Sequence, residues 1–182
     1  MKQKSPFYVA FLFFILFSFA SCRKHKPINP VDKLPPETQT GAGTFGCVVN
    51  GKDYLIADYP DVFATYIYLN DNYSHGYYFT IRASKKSPSW IIGILTDSLC
   101  IQQNEVYNLS NNPYTMGATW AVYMSTQNEY YSQSSLQGEL RITKLDSINQ
   151  FVSGTFWFDA IDTISNKTYQ IRNGRFYLHY TR

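Results

Sequence analysis

The sequence predicts an all-β domain, and three observations support this prediction. Apolar and polar residues alternate along residues 79–83 and 156–160, so alternate side chains share one face of each strand. The pairs Asn50-Gly51 and Asn173-Gly174 are strong hairpin signals, because both positions of such a turn need a positive φ. No segment combines a sustained helical period with helix caps.

Taken in chain order, the predicted strands account for most of the chain after residue 44. Residues 45–49 and 52–56 flank the first Asn-Gly turn, and the continuous apolar run at residues 90–95 is typical of a strand buried on both faces. The other strands are predicted at residues 65–69, 77–83, 105–109, 119–124, 140–145, 151–161, 168–172 and 176–180. Roughly ten short strands with turn signals between them predict a single antiparallel β-sandwich, of jelly-roll or immunoglobulin-like type, in preference to a barrel.

The first 22 residues predict export and lipidation. Two lysines precede an apolar run, and the small residues Ala20 and Ser21 lead to Cys22. The pattern resembles a bacterial lipoprotein signal, in which Cys22 becomes the lipidated N-terminus, although Phe19 stands where Leu is commonest. The apolar stretch at residues 7–20 is shorter than the roughly 20 residues of a spanning helix. A cleaved signal without lipid and a retained anchor remain the alternatives.

Three regions follow from this pattern. Residues 1–21 are predicted to be the signal peptide, residues 22–43 the lipidated cysteine with a flexible, proline-rich linker, and residues 44–182 one β-sandwich domain. The basic cluster at residues 23–26 stands where surface-exported lipoproteins usually carry an acidic tract. It therefore favours an outer-membrane protein that faces the periplasm over one exposed at the cell surface, with an ordinary solvated tether as the alternative for the cluster.

The charge balance argues against nucleic-acid binding. Without residues 1–21 the chain has 14 Lys and Arg against 13 Asp and Glu residues, and from Thr44 onward it has 10 against 11. Nucleic-acid binding needs a concentrated positive footprint, which this composition does not supply.

A search for catalytic and metal-binding motifs is negative. His25, His75 and His179 lie in no cluster with the spacing of metal ligands, and no G-x-S-x-G motif is present. The aspartate pairs 58/61 and 159/162 are more typical of turns than of a glycosidase cleft or a calcium loop. The sequence therefore predicts a protein that is not an enzyme, with no metal and no cofactor.

Cys47 and Cys100 are the two cysteines left when Cys22 is lipidated. In an oxidising compartment they could form a disulfide that closes a loop of about 53 residues. The alternative, which we favour, is that they are two small apolar strand residues.

Tyrosine is abundant, with 16 residues, and its rings suit sugar stacking, protein interfaces and exposed cross-strand pairs alike. A binding site is predicted in the long middle loops, residues 108–119 and 125–138. These loops combine flat rings with amides, the chemistry that a neutral polar ligand needs. The ring-bearing candidates are Tyr114, Tyr130 and Tyr131.

Six blocks of sequence carry a resemblance to a known family. They are residues 43–52, with the Asn-Gly-Lys turn, and residues 107–109, 120–123, 138–146, 152–158 and 173–176. On these blocks the chain resembles a family of uncharacterised Bacteroidota lipoproteins with a C-terminal all-β domain of unknown function, although relatives commonly carry an acidic residue where this chain has Tyr177. The resemblance implies a fold and a compartment and no activity.

The function expected from the sequence is that of a membrane-anchored lipoprotein. It would be a non-enzymatic binding or structural module of the envelope, with the membrane as one partner through its lipid and an envelope protein or glycan as the other. The alternative is a carbohydrate-binding accessory lipoprotein.

Overall fold

The computed structural model describes residues 29–36, 43–56, 61–86, 89–109, 115–125, 135–162 and 165–182. Within these ranges the chain forms one 3-10 turn, Pro30–Lys33, and ten strands. The strands are β1 Thr44–Val49, β2 Lys52–Ile56, β3 Val62–Asn70, β4 His75–Lys86, β5 Ser89–Thr96, β6 Val106–Asn108, β7 Thr119–Ser125, β8 Ser135–Asp146, β9 Phe151–Asp162 and β10 Lys167–Thr181. The all-β class and the number of strands are confirmed.

The strands form one mixed sheet, in the order β6-β8-β9-β10-β3-β4-β5-β7, with β1 paired to β10 and β2 to β1. Every pair is antiparallel except β10 with β3, which run parallel through two residue pairs, Tyr180 with Ala64 and Thr181 with Thr65. The predicted antiparallel sandwich is therefore corrected to a continuous sheet. The physical reason is the length of β10, whose 15 residues pair with β1 and then extend to β3.

The sheet curls until the two ends of its main strand order meet. β6 begins the strand order and β7 ends it, and the Thr119 hydroxyl on β7 donates a hydrogen bond to the Asn108 carbonyl on β6. The sheet is thus nearly barrel-shaped. Side chains on its inner face share one core, and the open ends of the curl form two mouths.

The predicted core positions are confirmed. Phe79, Ile81 and Phe158 are fully buried, Phe156 is 3% exposed, and all four belong to one hydrophobic cluster. Strand β1 contributes to the same cluster through Phe45, whose ring stacks on Phe156 with centroids 5.3 Å apart. The side chains that alternation assigned to one face of each strand therefore meet in one core.

The two Asn-Gly pairs have different roles. Asn50 and Gly51 both have positive φ, at 46° and 77°, and form the predicted β1–β2 hairpin turn. The second pair lies inside β10, where the β9–β10 register shifts between Ile171 and Gly174. Asn173 has a φ of 53°, which suits a bulge as well as a turn, so the predicted hairpin at this point is corrected to a bulge in one long strand.

Part of the predicted linker packs against the domain. Leu34 is only 7% exposed, and the Lys33 ammonium lies 3.2 Å from the Asp53 carboxylate on β2. The Arg175 guanidinium on β10 donates a hydrogen bond of 3.1 Å to the Pro35 carbonyl. The prediction of a flexible linker is therefore corrected for residues 29–36, because an apolar contact and two polar contacts hold this segment on the sheet.

Candidate functional site

One mouth of the curled sheet is lined by aromatic rings. Trp90 lies at the start of β5, Tyr123 near the end of β7 and Tyr169 near the start of β10, on the same strand faces as core residues two positions away. Together with Tyr54 of β2 they border a groove of about 420 Å³. The rings thus continue the core outward to the point where the strands end and the interior opens to solvent.

The rings are packed in a fixed arrangement. Trp90 and Tyr123 stack with centroids 4.6 Å apart and planes inclined by 6°, and the Tyr169 centroid lies 4.9 Å from that of Tyr123. The Tyr54 hydroxyl donates a hydrogen bond of 2.7 Å to the Trp90 backbone carbonyl, which ties β2 to β5. Burial raises the pKa of both Tyr54 and Tyr123, so their hydroxyls stay neutral at physiological pH.

Charged side chains surround these rings. Three lysines line the groove: Lys52, Lys85 and Lys167. The Lys167 ammonium lies 5.0 Å from the Tyr169 ring centroid, and the Lys85 ammonium lies 5.5 Å from that of Tyr54. We call this set of rings and lysines, with Asp53, the aromatic–lysine groove.

A single carboxylate among the described lining residues, that of Asp53, balances these three cations in part. Asp53 already pairs with Lys33, and the hydrogen bond from Lys33 lowers the pKa of its carboxyl group below the usual value. The groove therefore keeps a local excess of positive charge.

The opposite mouth holds a second aromatic surface, which we call the tyrosine groove, of about 550 Å³. Tyr66, Tyr68 and Tyr77 line it. The Tyr77 ring contacts both of the others, with its centroid 5.2 Å from that of Tyr66 and 5.0 Å from that of Tyr68. Tyr68 is 53% and Tyr77 39% exposed. The Tyr66 hydroxyl donates to the Cys100 sulfur over 3.4 Å, and burial together with this contact raises the pKa of Tyr66.

The predicted binding residues Tyr114, Tyr130 and Tyr131, and the lipidation residue Cys22, lie outside the described residues. The two predicted loops attach at opposite ends of β7, because a strand separates them in the chain. The loop with Tyr130 and Tyr131 leaves β7 at Ser125, whose register partner on β5 is Trp90. This loop therefore starts at the rim of the aromatic–lysine groove, and its role in binding stays a prediction.

Sequence reasoning did not single out Trp90, Tyr123 and Tyr169 as site residues. Each continues the apolar face of a strand, so in sequence each reads as core. The available signal was positional: all three lie within two residues of a strand end, where Trp90 and Tyr169 are left partly exposed and Tyr123 is buried.

Cys47 and Cys100 are free thiols in this structure, so the disulfide that the sequence allowed is not formed. Cys47 lies on the core face of β1 and is fully buried, which raises the pKa of its thiol, whereas Cys100 is exposed in the loop after β5. Cys47 lies close enough to Tyr54 and Tyr123 to affect their pKa values, whereas Cys100 accepts the hydrogen bond of Tyr66 at the opposite mouth. Cys100 is therefore not the strand residue that the favoured alternative expected.

The other candidate groups have structural contacts. His75 Nδ1 bonds the Asn70 side chain over 2.8 Å, and Asp159 pairs with Arg172 over 2.6 Å. In the described ranges no group of three or more His, Cys, Asp and Glu side chains is arranged to hold a metal ion. No helix in this part of the chain is long and apolar enough to cross a membrane.

One family model matches this chain. It is described as a domain of unknown function, DUF6252, and it matches residues 73–178, more than half of the chain. No curated protein and no solved structure matches. The matched range includes Trp90, Tyr123 and Tyr169 of the groove, whereas Tyr54 and its hairpin lie before it.

Proposed function

The chain belongs to the DUF6252 family of domains of unknown function, and we propose that this member is a non-enzymatic carbohydrate-binding module held at a membrane of the cell envelope by a lipid on Cys22. The observation that carries the proposal is the aromatic–lysine groove. Its ring faces and hydrophilic rim match the two kinds of surface that a sugar presents, an apolar ring face and a polar edge.

The size and place of the groove favour a ligand site. Small-molecule sites usually have volumes of roughly 300 to 1,000 Å³ and lie preferentially at places that include the mouths of barrels. The groove, at about 420 Å³, lies at such a mouth. Trp90 and Tyr169 are partly exposed there, so a sugar ring can reach them, while the more deeply buried Tyr54 and Tyr123 support them from below.

The rings are ordered before any ligand arrives. The stack of Trp90 on Tyr123 and the hydrogen bond from Tyr54 to the Trp90 carbonyl hold the groove in one shape. Since aromatic side chains have few rotatable bonds and these are already packed, binding costs little side-chain entropy.

The carboxylates near the groove favour binding over hydrolysis. Glycoside hydrolysis normally requires two carboxyl groups on opposite sides of the scissile bond. Among the described residues that line the groove, Asp53 alone carries a carboxylate, and it is engaged by Lys33. The described lining residues thus offer stacking and charge to a sugar and hold no second carboxyl group that could complete an acid–base pair.

The sequence of the first 22 residues and the resemblance to Bacteroidota lipoproteins support an outer-membrane anchor with the domain facing the periplasm. The seven peptide steps from Cys22 to Asn29 span at most about 25 Å even when fully extended. Because Lys33 of the packed segment contacts Asp53 at the groove, the groove would lie near the end of a short tether. Such a module would meet its ligand close to the membrane surface.

Replacing Cys22 with alanine is expected to abolish lipidation and to move the protein from the membrane fraction to the soluble fraction. The cysteine sulfur is the lipid acceptor in this proposal, and alanine has no nucleophilic group. Metabolic fatty-acid labelling and cell fractionation measure both effects. Cys100→Ala, which removes an exposed thiol elsewhere, should stay labelled, and labelling that persists in Cys22→Ala would contradict the anchor.

Replacing Trp90 with alanine is expected to weaken glycan binding by roughly 30-fold or more, since truncation of a central aromatic anchor typically costs about 2 kcal/mol or more. A soluble form starting after Cys22 would be screened against an oligosaccharide array, and the strongest ligand measured by calorimetry. Tyr169→Ala should act in the same direction. Thermal unfolding of each variant shows whether weaker binding comes from the missing ring or from a loss of folded protein.

A matched control is the pair Tyr68→Ala and Tyr77→Ala in the tyrosine groove, which removes exposed rings at the opposite mouth. This double variant should bind the glycan like the unmodified protein. Loss of glycan binding in the control, with retention in Trp90→Ala, would refute the proposed site.

A further inference from the structure

We infer that the ligand of the aromatic–lysine groove is an acidic saccharide, one that carries carboxylate or sulfate groups. The inference rests on the proposed function and adds the chemical class of the sugar. It is carried by the charges of the groove, because a neutral sugar that only stacks on the rings would not need them.

The three lysines come together only through the fold. Lys52 begins β2, Lys85 lies near the end of β4 and Lys167 begins β10, so long stretches of chain separate them. All three line one groove. The chain from Thr44 onward has 10 basic and 11 acidic residues, so this concentration of positive charge is local and does not reflect composition.

The described lining residues supply too few anionic groups to balance these cations. Asp53 is the one carboxylate among them; its side chain bonds Lys33, which lies outside the lining, and the charge of Lys85 also acts on it. Three ammonium groups therefore share a concave surface with a carboxylate that already has a cationic partner. A charge excess of this kind in a cleft attracts anionic ligands more strongly than the same charges on a flat surface.

The ammonium groups also lie where a stacked ligand would carry its substituents. The Lys167 ammonium is 5.0 Å from the centroid of Tyr169, and the Lys85 ammonium 5.5 Å from that of Tyr54. A sugar ring that stacks on Trp90, beside the Lys167–Tyr169 contact, would bring its exocyclic groups towards these ammonium groups. The lysine ammonium is a compact point charge with three donors, suited to a carboxylate or sulfate oxygen approached from varied angles.

Two other anionic partners fit the groove less well. Nucleic acid would need an extended basic track along a phosphate backbone, whereas these lysines converge on one pocket. A flat anionic membrane would contact convex surface in preference to a concavity at the mouth of the sheet. A saccharide with a few acidic groups fits the concave shape and can pair its charges with the three lysines.

The experiment compares two probes with the same sugar backbone, an oligogalacturonate and its fully methyl-esterified, neutral form, each titrated into the soluble domain by calorimetry. The acidic form is expected to bind at least tenfold more tightly at low salt. This advantage should shrink towards about 1 M NaCl, where the Debye length falls to about 3 Å. Sulfated oligosaccharides and their desulfated forms provide a second pair.

The double variant Lys85→Gln, Lys167→Gln should lose the tenfold preference for the acidic form, measured as the ratio of the affinities for the two forms. The matched control Arg82→Gln, Lys144→Gln removes the same charge from positions that do not line the groove, and it should keep the preference. Circular dichroism and thermal unfolding confirm that both variants fold.

The outcomes separate the inference from the proposed function. Equal, Trp90-dependent binding of the acidic and neutral forms would overturn the inference and leave carbohydrate binding standing. Binding of neither form, with no hit among sulfated sugars, would overturn both. The inference would also be overturned if both double variants lost the preference for the acidic form to the same extent. The same holds if the protein bound vesicles of anionic phospholipid as tightly as the acidic sugar. Either result would indicate general attraction between charges.

Discussion

Replacing Phe158 with alanine is expected to lower the free energy of unfolding by about 3 to 5 kcal/mol. Phe158 is fully buried, and its ring lies 6.3 Å from that of Phe156 in the core. It stands on β9, which is paired on both sides, by β8 and β10. Strands held on two edges cannot close in on the vacated space, so a cavity remains and adds to the lost transfer free energy. Urea unfolding followed by circular dichroism measures the change.

Tyr73→Ala is the control for this prediction. The Tyr73 side chain is 98% exposed, so its removal should change the free energy of unfolding by no more than about 0.5 kcal/mol. Phe158→Ala should also leave the slope of the urea transition unchanged, because the folded and unfolded states expose nearly the same surface as before. A loss below about 1 kcal/mol for Phe158→Ala would contradict the placement of this ring in the core.

Replacing Gly154 with alanine is expected to destabilise the domain by about 3 kcal/mol, the upper part of the usual range for overpacking. A Cβ atom at this position would lie 2.3 Å from the Arg141 carbonyl oxygen and 2.5 Å from the ring of Phe176. The carbonyl belongs to the neighbouring strand β8, so it cannot retreat without disturbing the β8–β9 ladder. The backbone φ of Gly154 is not positive, so the cost is steric.

Gly93→Ala is a graded control for Gly154→Ala, measured by the same thermal and urea unfolding. The nearest atom to its added Cβ would be a Val122 side-chain carbon at 2.8 Å, and a side chain can shift where a backbone carbonyl cannot. The Gly93 variant should therefore lose clearly less stability. Equal losses at the two positions, or a neutral Gly154→Ala, would contradict the argument from close backbone approach.

Much of the all-β architecture could be predicted because its signals are local. Alternation along β4 and β9 identified Phe79, Ile81, Phe156 and Phe158 as inward-facing, since in a strand the face of each side chain depends only on its parity. The Asn50-Gly51 turn was predicted for the same reason: positive φ at two successive residues is a local requirement.

The pairing of distant strands could not be predicted from such signals. Asn173-Gly174 fits a turn or a bulge equally, and the choice depends on whether β10 continues along β9 and β1. The step from a sandwich to one curled sheet likewise depends on the short parallel contact of β10 with β3. The contacts of β10 with β1 and with β3 join residues far apart in the chain, so no local pattern encodes them.

By itself, the sequence determined the all-β class, the core-facing positions and the first hairpin. These features depend on backbone stereochemistry and on the alternation of side chains along a strand, which involve only residues close together in the chain. Only the tertiary structure decided the site. When each strand is considered alone, its pattern indicates core residues at Trp90, Tyr123 and Tyr169. The sequence likewise indicates only scattered surface charges at Lys52, Lys85 and Lys167. They become a groove because curling of the sheet brings the ends of five strands to one mouth, where an inward ring is left partly uncovered and lysines from distant segments converge.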